Sequence, residues 1–435
     1  MAIWGVVADD LTGANTAAAL LTTSSFRTLT TIDHHHVEQF PLAEYDAIVV
    51  NTASRTLDAK DAFERTRQST KELWDLGIRH FSKRIDSTIR GNLGAETEGM
   101  LAALPENTVA CVVAVFPASD RMVVGGYQIV KGVPVHKTMA GSDPIKPVHS
   151  SCVETEFRQQ TTLPIASVSL THVSSGGALL QEDVEKKLAA GNRILVFDAI
   201  SFADIAVIAE VMEAQGRPWI AVDPGPLTQK ACELVAQDKP RMMKKQTRGK
   251  VLIVAGSASD LTNTQVKYLK NQTDAKIVTV DVRPFIDSDE PHPNEAILAK
   301  RIQMLSQMSD IIGIKSAGYT DMLIDINLEA EKRGLTTDDI TGRITHALAR
   351  IVSLVLGDEQ APEFKGIYLT GGDMTVAFCQ ECKVQALELY GEIQPHISYG
   401  RLIGGFADGM PLVTKGGMIG DTDTILACID YMLTH

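Results

Sequence analysis

Short apolar runs, each cut off by a polar or glycine-rich cluster and followed by an amphipathic stretch, recur along the whole of this 435-residue chain. Ile3–Val7, Arg27–Ile32, Ala47–Asn51, Ala110–Val115, Arg193–Phe197 and Trp219–Val222 read as strands in the first half. Lys250–Ala255, Lys276–Asp281, Asp310–Ile314, Gly366–Thr370 and Pro411–Thr414 do so in the second. Between them, Asp61–Leu76, Glu182–Ala190, Thr262–Leu269, Asn294–Met308 and Ile340–Leu356 are amphipathic, as surface helices are. Continuous apolar strands are those buried on both faces, and their alternation with helices is the mark of βαβ units. The expected fold is therefore α/β, with two domains, each a largely parallel sheet flanked by helices. The basic, apolar-poor stretch Gln237–Lys250 interrupts the alternation, so the domains are expected at residues 1–240 and 250–435.

Composition narrows the partners. A formal charge of −13 without a long Lys/Arg cluster argues against nucleic acid. It also means that an anionic substrate must be drawn by a local basic pocket. No stretch reaches the ~18 apolar residues of a membrane span, and the chain runs straight into its first strand. Six scattered cysteines fit a reduced, cytoplasmic setting.

The chemistry gathers where strands end, the edge at which open α/β sheets bind ligands. Ala8-Asp9-Asp10-Leu11-Thr12-Gly13-Ala14 puts two adjacent carboxylates after the first strand, with an alanine-rich helix to follow. Such a pair is costly unless it holds a metal, a sugar hydroxyl or a basic partner. The plainer reading is that Asp10 or Thr12 caps the helix. Asn51-Thr52-Ala53-Ser54-Arg55, Lys83-Arg84-Ile85-Asp86-Ser87-Thr88-Ile89-Arg90-Gly91-Asn92 and Phe116-Pro117-Ala118-Ser119-Asp120-Arg121 follow other strands. Guanidinium forks two hydrogen bonds onto one carboxylate or phosphate, and aspartates suit hydroxyls. Together these clusters describe a pocket for a polyhydroxylated acid.

The second half repeats another theme, a strand followed by glycine and hydroxyls: Gly256-Ser257-Ala258-Ser259-Asp260, Thr370-Gly371-Gly372-Asp373-Met374-Thr375 and Lys415-Gly416-Gly417-Met418-Ile419-Gly420-Asp421-Thr422. Glycine lets backbone approach phosphate oxygens, and the next helix points its unpaired N–H groups at them. Three such loops indicate a nucleotide site. The chain has no GxxxxGK[ST] and no GxGxxG opening a βαβ unit, which sets aside a P-loop NTPase and a nicotinamide enzyme. His34-His35-His36 lacks an accompanying ligand pattern and reads as a solvated loop. Cys379-Gln380-Glu381-Cys382 falls at helical spacing outside any thioredoxin-like context.

In this order the motifs resemble the four-carbon acid sugar kinase family: an ADD[LF]TGA/S start (Ala8–Ala14), T-x-SR (Thr52–Arg55), K-x-x-DSTxRGN (Lys83–Asn92), LTGGD (Leu369–Asp373) and TKxGGFG (Thr414–Gly420). Phe116–Arg121, Gly132-Val133-Pro134 and Asp143-Pro144 look like its central stretch. The resemblance implies a sugar-acid-binding first domain and an ATP-binding second domain, with phosphorylation of the terminal hydroxyl of a four-carbon acid. D-threonate is the first substrate to expect, with D-erythronate and 3-oxo-tetronate as alternatives. It places substrate contacts on Asp10, Arg55, Lys83, Arg84, Ile85, Asp86, Ser87 and Arg90. Nucleotide contacts fall on Ser257, Gly371, Gly372, Asp373, Met374, Gly416 and Gly417. Asp10 or Asp86 would deprotonate the attacking hydroxyl, Lys83 and Arg55 would hold the carboxylate or phosphoryl charge, and Asp373 would help place Mg²⁺. Two departures stand out: Thr16 replaces a frequent aspartate, and Met418 and Ile419 alter the final glycine-rich motif. A homodimer, and a hinge at Gln237–Lys250 that closes on the ligands, are further expectations. The rival of another class is a sensor that binds sugar acid and nucleotide without catalysis.

Overall fold

The computed structural model describes residues 3–34, 37–235, 249–256, 259–316, 324–358 and 362–434. The chain divides into two compact units, Met1–Pro240 and Arg241–His435. The hinge expectation falls almost wholly outside the described residues, as do Ser257, His35 and His36.

The first unit contains β1 (Trp4–Ala8), β2 (Thr28–Thr31), β3 (Ala47–Asn51), β4 (His80–Arg84), β5 (Val109–Val112), β6 (Arg121–Val124), β7 (Tyr127–Val130), β8 (Val133–Pro134), β9 (Ile165–Val168), β10 (Ile194–Phe197) and β11 (Trp219–Asp223). Its main sheet is parallel throughout, in the order β2-β3-β1-β4-β11-β5-β10-β9. β1 and β3 are buried at every position, so they read as unbroken apolar runs. Helix ends are fixed locally: Asp58 caps Ala59–Asp75 through the amide of Asp61, and a Ser201/Asp204 capping box opens Phe202–Ala214. β6, β7 and β8 form a small antiparallel sheet that strand patterning did not foresee.

What positions the site is register. Ala8 lies level with Asn51 of β3 and Arg84 of β4, and Arg84 is level with Asp223 of β11. The chain leaves β1 toward β2 but leaves β3 toward β4. The loops after β1, β3 and β4 therefore converge at a switch in strand order, where such sheets open a crevice.

The second unit contains β12 (Lys250–Ala255), β13 (Lys276–Val280), β14 (Ile311–Ser316), β15 (Phe364–Thr370), β16 (Ala386–Gln394), β17 (Ile397–Ile403) and β18 (Pro411–Lys415). The order is β13-β14-β12-β15-β18-β17-β16, parallel up to β18 and antiparallel across β17 and β16. Lys315, Ala255, Thr370 and Lys415 form one register row where the parallel strands end. The helices Asp260–Gln272 and Thr424–Thr434 pack Val266, Leu269, Ile425 and Cys428 against Tyr368 and Val413 beneath that row. Among the described residues, no helix is long and apolar enough to cross a membrane.

Candidate active site

Asp9, Asp10, Arg55 and Asp86 form the centre of the first unit's cluster. Arg55 donates from Nε and Nη2 to both oxygens of Asp9 (2.7 and 3.0 Å) and from Nη1 to Asp10 Oδ2 (2.7 Å). Its Nη2 lies 3.8 Å from Asp86 Oδ1. Asp10 also caps the helix Leu11–Thr23, its Oδ1 accepting from the Gly13 amide at 2.7 Å. Asp10 thus spends one oxygen on capping the helix and the other on Arg55. A Cβ on Gly13 would come within 2.6 Å of Asp10 Oδ1 and 3.1 Å of Arg84 Cζ, so only glycine lets these groups approach.

Asp86 is the most heavily bonded carboxylate. Arg90 reaches it from Nε (2.8 Å) and Nη2 (3.1 Å), and the Thr88 hydroxyl donates to it at 2.5 Å. Arg90 extends to Asp143 at 2.9 Å. Lys83 is fully buried; its Nζ meets Glu96 Oε2 at 2.7 Å and the Arg84 carbonyl at 2.9 Å. The other Glu96 oxygen accepts from Ser54 at 2.7 Å, and Ser54 in turn bonds Thr52.

These contacts set the charges. Burial pushes the carboxyls of Asp9 and Asp86 up, but their cations outweigh it. Arg55 and Lys83 hold Asp9 below the usual carboxylate range, and Arg90 and Arg55 hold Asp86 well below it. Burial raises Glu96, with Asp9 adding to the rise against the pull of Lys83. Arg55 gains more from Asp10, Asp9 and Asp86 than burial takes away, so it stays charged. Of the three aspartates, Asp10 alone reaches solvent appreciably: its side chain is 28% exposed, against 2% for Asp9 and 8% for Asp86.

In the second unit the three glycine loops are stitched edge to edge. The Gly256 amide donates to the Thr370 carbonyl (3.1 Å) and the Gly371 amide to the Lys415 carbonyl (3.0 Å). The Gly417 carbonyl accepts from Ser259 (2.8 Å) and Thr262 (3.0 Å), and Gln265 donates to the carbonyls of Ile419 and Asp421. Gly371, at φ +107°, is the N-cap of the helix Gly372–Glu381, so the first amides of that helix open at the loop. Lys415, almost wholly buried, donates to the Gly416 carbonyl at 3.0 Å, and Lys315 donates to Asn263 at 2.7 Å. Neither lysine meets a carboxylate among the described residues. Glycine loops, a helix N-terminus and two cations fit a nucleotide's phosphates. Among the described residues no cluster of three or more His, Cys, Asp or Glu is placed to hold a metal ion.

The structure brings Asp10, Arg55, Arg84, Asp86 and Arg90 together, while Lys83 and Ile85 point into protein: Ile85 is buried, its amide donating to the Asp223 carbonyl at 3.1 Å. Lys83 and Arg84 are the last residues of β4 itself rather than of the loop beyond it. Ser87 is nearly buried, and its carbonyl accepts from Gln128 at 3.2 Å. Gly371, Gly372, Asp373 and Met374 open the helix after β15, and Gly416 and Gly417 follow β18, whereas Ser257 lies outside the described residues. Of the altered positions, Thr16 is buried and bonds the Thr12 carbonyl, Met418 is exposed, and Ile419 packs on the core. Cys379 and Cys382 are buried, and burial pushes both thiols up, Cys382 to about 12. Glu96, Ser259, Thr262 and Gln265 were missed. The helix Leu93–Ala103 carries two acids, Glu96 and Glu98, and nothing in the sequence says which of them turns inward.

Comparison with known proteins agrees with this division. Residues 4–231 match the family model described as a sugar-binding N-terminal domain, and residues 252–425 match the nucleotide-binding C-terminal domain. A D-erythronate kinase of Heliobacterium modesticaldum is 36% identical, over 99% of this chain and 97% of its own. A D-threonate kinase of Salmonella typhimurium is 28% identical, over 98% and 97%. The crystal structure of a Haemophilus influenzae protein shares the fold, with a TM-score of 0.73 at 21% identity over 99% of this chain and 100% of that one. On this evidence the chain belongs to the four-carbon acid sugar kinase family, whose members join a sugar-binding to a nucleotide-binding domain.

Proposed function

We propose that this chain transfers the γ-phosphoryl group of ATP to the C4 hydroxyl of a four-carbon sugar acid, with D-erythronate as its preferred substrate. The observation that carries the reading is Asp10: a carboxylate clamped by Arg55, fixed by a backbone amide and open to solvent, beside an arginine-rich pocket. Asp10 takes the proton of the C4 hydroxyl as that oxygen attacks the γ-phosphorus; the bond to the β–γ bridging oxygen breaks and ADP leaves. Asp86, saturated by Arg90 and Thr88, is a poor base and keeps the arginines in place. Lys83 acts through its charge on Asp9 and its pairing with Glu96 rather than by touching substrate. Most of the rate gain is then positioning and charge neutralisation.

On the nucleotide side, the loops at Ser257, Gly371–Met374 and Gly416-Gly417 take the phosphates, and Lys315 and Lys415 offset their charge. Mg²⁺ carried by ATP would be met by Asp373, in the first turn of the helix Gly372–Glu381. D-erythronate is favoured because a kinase of that name shares 36% of its residues with this chain, against 28% for a D-threonate kinase. D-threonate is the second reading.

Coupled measurement of ADP with D-erythronate, D-threonate and 3-oxo-tetronate tests this. The expected result is ADP formation dependent on the acid, with the highest kcat/KM on D-erythronate. Calorimetric binding of both ligands with no acid-stimulated ADP would favour a sensor instead.

A further inference from the structure

The first unit holds two guanidinium groups that the proposed chemistry does not use. Arg84 is only 4% exposed; its Nη1 donates to the Ile85 carbonyl, and its Nε has no partner. Arg121 opens β6, and β6 is paired to β7, which carries the buried Gln128. Gln128 donates to the carbonyls of Ser87 (3.2 Å) and Ala114 (2.7 Å), so the hairpin is fastened to the site loop. Arg121 donates from Nη1 to the Ser119 carbonyl at 2.8 Å, and its Nε is likewise buried without a partner. Neither arginine forms an ion pair among the described residues.

Three nearby cations have found carboxylates: Arg55 with Asp9 and Asp10, Lys83 with Glu96, Arg90 with Asp86 and Asp143. Arg121 lies within electrostatic reach of Asp86, Arg84 and Arg90, and its pKa is lowered, chiefly by burial. Arg84 is buried and Arg121 partly so; Asp9 acts on the first and Asp86 and Asp120 on the second without forming an ion pair, and a buried Nε with no acceptor on each is costly unless a ligand completes it. Arg84 also borders Asp10, both groups lying about 3 Å from where a Cβ on Gly13 would stand (3.1 and 2.6 Å). One short ligand can therefore touch the base at one end and an arginine at the other.

We propose that Arg84 and Arg121 form the carboxylate anchor of the substrate site, with Arg121 the residue that makes the protein select an acid over a neutral sugar. This rests on the proposed kinase reading. An oxyanion could equally come from the transferred phosphoryl group, and the two sources give opposite kinetic signatures.

The test compares D-erythronate with its neutral amide, in the wild type and in Arg121→Gln. The wild type should prefer the acid by about 100-fold in KM, the strength of a forked, charge-assisted contact. Arg121→Gln should abolish that preference by raising KM for the acid alone, with KM for ATP and for the amide within about threefold of wild type. Arg121→Lys, which keeps the charge but not the fork, should retain part of the preference and serves if the glutamine variant does not fold. A fall in kcat with the acid-to-amide ratio unchanged would overturn the anchor and point to the phosphoryl group. Calorimetric binding of both compounds without ATP separates this from the kinase reading. Acid-selective binding lost in Arg121→Gln supports the anchor even if no ADP is formed, and equal binding of acid and amide by the wild type refutes it.

Discussion

The carboxyl edges of the two sheets carry charge in opposite ways. In the first unit, Arg55, Lys83 and Arg90 each meet a carboxylate at 2.7–2.8 Å, so a net of fixed ion pairs exists before any ligand arrives. In the second, Lys415 and Lys315 meet, among the described residues, only a carbonyl and an amide oxygen. The difference matches what each ligand asks for. A sugar acid offers several hydroxyls that must be held in one orientation, which needs rigid, directional partners. A triphosphate offers concentrated negative charge, which needs spare positive potential and backbone amides. Arg84 and Arg121 are the exception in the first unit, and they suit a single carboxylate.

The strongest way to break this contrast is inside the first unit's net. Asp10→Asn should lower kcat by about 10³-fold, as loss of a general base does, with little change in melting temperature. Asp86→Asn should act mainly on stability, with kcat falling less than tenfold. Equal losses of kcat in steady-state assays of the two variants would remove Asp10 from its role. Next comes the buried Lys83–Glu96 pair. Glu96→Gln leaves an ammonium buried without its partner and should cost about 3–5 kcal/mol in urea unfolding, whereas Lys83→Met with Glu96→Leu together should recover most of that loss.

The second unit should behave in the reverse sense. Burial pulls the Lys415 ammonium from 10.5 down to about 8. The unfolded chain therefore binds more protons between pH 8 and 10.5, and stability rises with pH across that window. The cost of the buried charge is fully present below pH 8. At pH 7, Lys415→Met should thus stabilise the chain by on the order of 3 kcal/mol, with the gain vanishing above pH 10.5. The same variant should raise KM for ATP about tenfold, the worth of a lost charge-assisted contact. Destabilisation at pH 7 would mean that Lys415 already has a counter-charge. The smallest effect belongs to the exposed Lys71–Asp75 pair on the helix Ala59–Asp75, where Lys71→Ala should change stability by less than about 0.5 kcal/mol.

Sequence legibility followed burial. β1, β3, β12 and β15 were readable because strands covered on both faces must be apolar. The hairpin of β16 and β17 was not, since its charged residues Glu388 and Arg401 compensate each other across the strands and dilute the pattern. The same holds for β4: a lysine and an arginine in a buried strand look like loop residues until Glu96 is seen beside Lys83. In the site, Asp10, Arg55, Asp86 and the glycine loops could be named from residue type and strand-end position. The supports could not, because Glu96, Ser259, Thr262 and Gln265 owe their roles to partners 13 to 158 positions away.

The most direct test of the account is to follow the phosphoryl group itself. With D-erythronate and γ-¹⁸O-labelled ATP, phosphorus-31 NMR should show a phosphomonoester carrying the label and coupled to the two protons of a terminal methylene, formed in step with ADP. Labelled inorganic phosphate alone, or an ester coupled to a single carbon-bound proton, would contradict transfer to the C4 hydroxyl.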